Sequence, residues 1–218
     1  MSTIADNIGL VSQRIRAAAD AVQRDASSIH LLAVSKTKPA QAVREAYAAG
    51  LRDFGENYLQ EALGKQADLT DLPLSWHFIG PIQSNKTRAI AENFAWVHSV
   101  DRLKIAQRLS EQRPADLPPL NICIQVNVSG EASKSGCTPA DLPALATAIS
   151  ALPRLKLRGL MAIPEPTEDR AEQDAAFATV RDLQASLNLA LDTLSMGMSH
   201  DLESAIAQGA TWVRIGTA

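Results

Sequence analysis

The feature that most constrains this chain is an eightfold alternation of short apolar runs with helix-patterned segments. The runs at residues 31–34, 53–58, 75–81, 95–100, 120–128, 155–163, 193–199 and 211–217 read as strands. Between them, residues 41–49, 59–68, 85–93, 102–112, about 141–152, 169–191 and 201–208 repeat apolar positions at helical spacing. A further helix, residues 4–24, precedes the first strand, with Ile4, Ile8, Val11, Ile15, Ala18 and Val22 on one face. Strict alternation implies parallel βαβ units. Eight of them favour a closed (β/α)8 barrel over an open doubly wound sheet. The rhythm fills all 218 residues, so one domain spanning residues 1–218 is expected.

Composition removes several function classes. The formal charge is −3 and basic residues are scattered, which argues against a nucleic-acid partner. No apolar run is long enough to span a membrane. The first residues lack the basic start and apolar core of a secretory signal. Two cysteines, Cys123 and Cys137, are too few for a disulfide scaffold or a zinc cluster. Cys123 is expected on the polar face of the fifth strand, with Gln125 and Asn127. A cytoplasmic protein with reduced thiols is expected.

In a barrel the chemistry sits at the C-terminal ends of the strands. The first strand runs into Ser35 and Lys36, and Pro39 stops the extension. Strand side chains alternate, so Leu32, Val34 and Lys36 share a face. A lysine there is a point charge for phosphate, an amine for a Schiff base, or a solvated residue just past the strand. The other ends carry Asn57 and Tyr58, His77, His98 and Ser99, Asn127, Met161, Ser199, and Gly216 with Thr217. Barrels often bind phosphate between the loops after strands seven and eight, where helix N-termini offer unpaired N–H groups. Ser199, Gly216 and Thr217 suit that role, with an ordinary N-cap and a turn as the plainer alternatives. Arg214 shares the face of Gly216. On an inward face it needs a partner, such as a ring nitrogen or an anion; on an outward face it is simply solvated.

The strings Leu32-Ala-Val-Ser-Lys-Thr-Lys-Pro39, Phe54-Gly-Glu-Asn-Tyr58, Trp76-His-Phe-Ile-Gly-Pro-Ile-Gln-Ser-Asn-Lys86, Gly159-Leu-Met161, Leu194-Ser-Met-Gly-Met-Ser199 and Val213-Arg-Ile-Gly-Thr217 resemble the pyridoxal phosphate homeostasis protein family. The likeness runs in order along nearly the whole chain. It implies a single barrel of the alanine racemase N-terminal domain type. It also implies pyridoxal 5′-phosphate (PLP) held as an internal aldimine on Lys36. By the same resemblance Ser199, Gly216 and Thr217 hold the phosphate, Asn57 hydrogen-bonds near the cofactor, and Arg214 faces the pyridine nitrogen. Met161, Met196 and His77 line the pocket, and Lys38 is solvated across the turn. Members of the family continue beyond the Ile-Gly-Thr motif, whereas this chain stops at Ala218.

The resemblance implies a monomeric carrier that keeps the free aldehyde low and supplies PLP to apo-enzymes, without catalytic turnover. A PLP-dependent amino-acid racemase is the alternative. Racemisation needs a second base across the substrate, and the only tyrosines are Tyr47 and Tyr58. Turnover with His77 or Tyr58 as base would distinguish the two. A Schiff-base aldolase fits poorly, because those barrels carry the lysine on a central or later strand. Lys134, in the polar loop 129–136, is either a secondary residue for cofactor exchange or a solvated loop lysine.

Overall fold

The computed structural model describes residues 1–131 and 135–218. Eight parallel strands close on themselves in sequence order. They are β1 (His30–Val34), β2 (Asp53–Glu56), β3 (Ser75–Phe78), β4 (Trp96–Val100), β5 (Leu120–Gln125), β6 (Leu155–Met161), β7 (Thr193–Ser195) and β8 (Trp212–Ile215). Closure comes from β1 against β8, in register from His30 with Trp212 to Ala33 with Ile215.

Helix α1 (Ile4–Ala21) precedes β1. Helices α2 (Ala40–Ala48), α3 (Leu59–Asp68), α4 (Thr87–Asn93), α5 (Leu103–Gln112), α6 (Leu142–Ser150), α7 (Arg170–Ser186) and α8 (Leu202–Ala207) follow β1 to β7 in turn. Thr3 starts α1 with a reciprocal capping box: its hydroxyl accepts from the Asp6 N–H and the Asp6 carboxylate accepts from the Thr3 N–H. The helix packs between α8 and α2, which is the remaining place in the outer ring. Arg24 ties it there by donating to the carbonyls of Ile206 and Ala210.

Side-chain alternation divides the apolar residues into two sets. Ile122, Ile124, Leu160 and Val213 face the helices in a continuous outer layer. Leu32, Ile79, Trp96, Cys123, Met161 and Trp212 fill the barrel axis. Cys123 therefore lies in an apolar inner cluster rather than on a polar face. The partner of a barrel strand's "other" face is the barrel axis, and here that axis is partly apolar.

The helices start and stop within a few residues of the positions expected from their periodicity. Strands β2, β3, β5, β6, β7 and β8 end two to four residues earlier than their apolar runs suggest. Ladder pairing stops where the barrel opens, and the remaining apolar and small residues turn outward to form its mouth.

Candidate functional site

At the mouth, Ser35 is the last buried residue after β1, and Lys36 follows it into solvent. The turn is clamped on both sides. Lys65 on α3 donates to the Ser35 carbonyl, and Glu61 accepts from the Thr37 backbone N–H. Thr37 has a φ of 64°, so the chain reverses sharply just after Lys36. Lys65 also reaches Glu56 Oε1 at 2.6 Å and Glu61 Oε1 at 2.9 Å. Its three ammonium protons thus have three acceptors. Burial raises the Glu56 carboxyl pKa, with Lys65 pulling against that rise.

Asn57, one residue past β2, is half-buried, and its buried Oδ1 has no hydrogen-bond partner among the described residues. The loop after β3 rides directly over it: a Cβ on Gly80 would collide with the Asn57 carbonyl. A buried amide oxygen without a partner is costly in a finished protein and is what a ligand donor would satisfy.

Ser199 and Thr217 meet across the ends of β7 and β8, with Thr217 Oγ1 donating to Ser199 Oγ at 3.3 Å. Arg14 on α1 grips this corner, donating to the Ser199 carbonyl at 2.8 Å and to both carboxylate oxygens of Glu203 at 2.9 Å. Gly216 and Thr217 are exposed. Gly197 makes the turn between β7 and α8, with φ 102° and room for no side chain.

Arg214 points inward and is 4% exposed. It donates to Ser195 Oγ at 2.8 Å and to the Ala162 carbonyl at 3.0 Å. Neither acceptor is charged. Burial lowers its pKa to about 10, and Asp201 works against that shift. Arg214 lines a cavity of about 140 Å³, shared with Gly197, Met198 and Asp201.

Three other expected site residues are fully buried. His77 is wholly buried inside the barrel, hydrogen-bonded to Asp53 and His98. Met161 belongs to the inner apolar cluster. Met196 faces the outer layer beneath the helices, not the pocket, because it is one residue out of phase with the inward Ser195. Lys38 is exposed and lines a groove of about 260 Å³ between α1, α2 and β1, outside the barrel, whose lining also includes Gly216 and Thr217. Lys134, read as a loop lysine for cofactor exchange, lies outside the described residues.

Sequence reading placed His98 at a strand end without giving it a role, and passed over Asp53, Ser195 and the Glu56–Lys65 pair. The strand alternation was a usable signal for the first three, since each sits in phase with an inward neighbour. Lys65 shares the helical face of the buried Leu59 and Ala62, a spacing that marks it as buried.

A lysine follows the first strand, an arginine lies inside the eighth, and a hydroxyl pair bridges the ends of the seventh and eighth, all on a closed parallel barrel. The family model for the alanine racemase N-terminal domain matches residues 11–218. Over all 218 residues the chain is 78% identical to the pyridoxal phosphate homeostasis protein of Pseudomonas aeruginosa, covering 95% of that protein. It is 53% identical to the protein of the same name from Escherichia coli K12, covering 100% of this chain and 96% of that one. The structure of PipY from Synechococcus elongatus, solved with PLP bound, superposes with a TM-score of 0.86 at 44% identity, covering 99% of this chain and 98% of that one. The chain belongs to the alanine racemase N-terminal domain family and, within it, to the pyridoxal phosphate homeostasis proteins.

Proposed function

We propose that this chain, acting as one domain over residues 1–218, binds PLP in the barrel mouth and maintains its intracellular supply. The observation that carries the reading is Arg214, a buried cation whose hydrogen-bond acceptors are both neutral and which lines a cavity. Asp201 acts on this charge only from a distance, with no ion pair to Arg214 among the described residues, so a ligand acceptor would complete the site. PLP brings a phosphate, an acceptor ring nitrogen and an aldehyde that takes up primary amines.

Lys36 supplies the amine. Its flanking backbone is fastened by Lys65 and Glu61, which limits the entropy lost when Nζ is held in one place. Ser199, Gly216 and Thr217 take the phosphate with hydroxyl and backbone donors. Asn57 and Arg214 hold the ring. Met161, beneath the mouth, forms an apolar floor. His77 and Met196 act from behind rather than by touching the cofactor. The PLP bound in the PipY relative supports this reading.

Release to apo-enzymes, rather than turnover, is the second half of the proposal. The relatives are named as homeostasis proteins, and the racemase alternative is not favoured. Tyr47 sits on α2 under the Arg52 guanidinium, 3.8 Å from its ring centre, outside the barrel. Tyr58 is 55% exposed, with no held position from which to serve as a second base. A cytoplasmic monomer completes the reading.

The test is the visible spectrum of the purified protein with PLP, before and after borohydride reduction, beside Lys36→Ala. The expected result is a yellow wild type whose label is fixed to a peptide containing Lys36, and a variant without the band. A wild type that stays colourless with added PLP overturns the assignment.

A further inference from the structure

A single file of polar side chains crosses the barrel interior. Asp53, at the N-terminal start of β2, lies 2.9 Å from His77 Nε2. His77 Nδ1 is 2.9 Å from His98 Nε2, and His98 Nδ1 is 2.7 Å from Ser195 Oγ. Ser195 Oγ in turn accepts from Arg214 at 2.8 Å. The file begins at a carboxylate that is one-third exposed and ends at Arg214, which lines a cavity.

Its two ends polarise it. An ionised carboxylate only accepts, and a guanidinium only donates. His77 must therefore donate from Nε2 to Asp53, which leaves its Nδ1 as an acceptor. His98 must then donate from Nε2, and its Nδ1 must accept the Ser195 hydroxyl proton. Ser195 keeps a lone pair for Arg214. Every group is satisfied in only one direction, with both imidazoles neutral. Trp96 stacks on His77 at 5.4 Å and Trp212 meets it edge-on at 4.8 Å, which closes the pair off laterally.

We propose that Asp53, His77, His98 and Ser195 are positioning residues: a polarised relay that holds Arg214 against the ring nitrogen of the bound cofactor. This rests on the PLP reading above. The charged and titratable groups that face the two histidines and Arg214 are Asp53 on β2, His30 on β1, His98 on β4 and Arg214 on β8, with Cys123 on β5 near the arginine. Desolvation and the neighbouring cationic groups keep both histidines neutral at rest, while Asp53 favours a charge on His77.

The experiment is nitrogen NMR of the full chain labelled at its four histidines, without and with PLP, beside PLP affinity and visible-band pH titrations of Ser195→Ala and Ser195→Thr. The expected result is two histidines protonated only at Nε2 at pH 7.5. Asp53→Asn should move the His77 titration to lower pH, because it removes the charge that favours the protonated ring. Ser195→Ala should weaken PLP binding about 5- to 20-fold and shift the band's titration, and Ser195→Thr should restore both. A protein that shows the Nε2 signals but takes no PLP overturns the cofactor reading and supports the relay. His98 protonated at Nδ1 at rest, or Ser195→Ala with wild-type affinity and spectrum, overturns the relay.

Discussion

Lys65 Nζ lies 2.6 Å from Glu56 Oε1, and the two side chains are 7% and 0% exposed. This buried pair stands directly behind the turn that presents Lys36, because the same ammonium also binds the Ser35 carbonyl. The turn is thereby held by an ion pair in the layer below it. Glu56 also receives the Ser35 hydroxyl at 3.2 Å, so both main-chain and side-chain groups of Ser35 report to the same carboxylate and its partner.

Removing one member of a buried pair leaves the other charge uncompensated, which typically costs about 3–5 kcal/mol. Lys65→Met should lower unfolding stability by that order in urea denaturation. It should also weaken PLP uptake at Lys36. The double variant Lys65→Met with Glu56→Gln should recover part of the stability, since the fully buried carboxylate is then no longer stranded and only the part-exposed Glu61 loses its partner. Full stability in Lys65→Met alone would contradict the clamp.

Acid should destabilise the protein through its inner histidines. Both His77 and His98 have pKa values lowered chiefly by burial, His98 the more strongly. Above the unfolded value of about 6.5 neither state binds the proton, so these groups leave stability unchanged with pH. Below about 6.5 the unfolded chain takes up protons that the folded chain refuses, and stability falls by up to about 1.4 kcal/mol per pH unit for each histidine. The loss continues until the folded pKa is reached. Chemical denaturation between pH 7.5 and 5 should show this slope, and His98→Gln should flatten it.

Gly197→Ala should be strongly destabilising. Its φ of 102° is one that side-chain-bearing residues rarely adopt, and a Cβ there would lie 2.6 Å from the Ala205 Cβ. Backbone strain and overpacking together cost about 3 kcal/mol. Thermal melts would show a drop of several degrees, and the Ser199 corner that follows Gly197 would bind phosphate more weakly.

Neither thiol should react in the native protein. Burial pushes the Cys123 thiol up to about 12 and Cys137 to about 11, so almost no thiolate exists at neutral pH. A thiol reagent at pH 8 should label neither until denaturant is added. Rapid labelling of Cys123 in the folded state would mean the barrel axis is open.

Periodicity alone identified the elements, because strand and helix each impose their own spacing on apolar residues. Eight strands separated by helices leave few arrangements, so the parallel barrel followed from the pattern. The order of the strand-end residues around the mouth followed too, since every strand in such a barrel ends at the same rim. Lys36, Asn57, Ser199, Arg214 and Thr217 were therefore legible as strand-end residues, and the motifs that carry them named the family.

Depth along the barrel axis was not legible. His77 and Met161 occur at strand ends in the sequence, yet both lie below the mouth, and Met196 faces the helices. Alternation tells which face a residue takes but not which layer it reaches, because layer depends on strand tilt and stagger around the closed sheet. For the same reason Asp53, His77, His98, Ser195 and Arg214 are scattered over five strands in sequence but form one file in space. Closure of the barrel brings them to hydrogen-bonding distance, and burial among tryptophans then compels each to find its partner there.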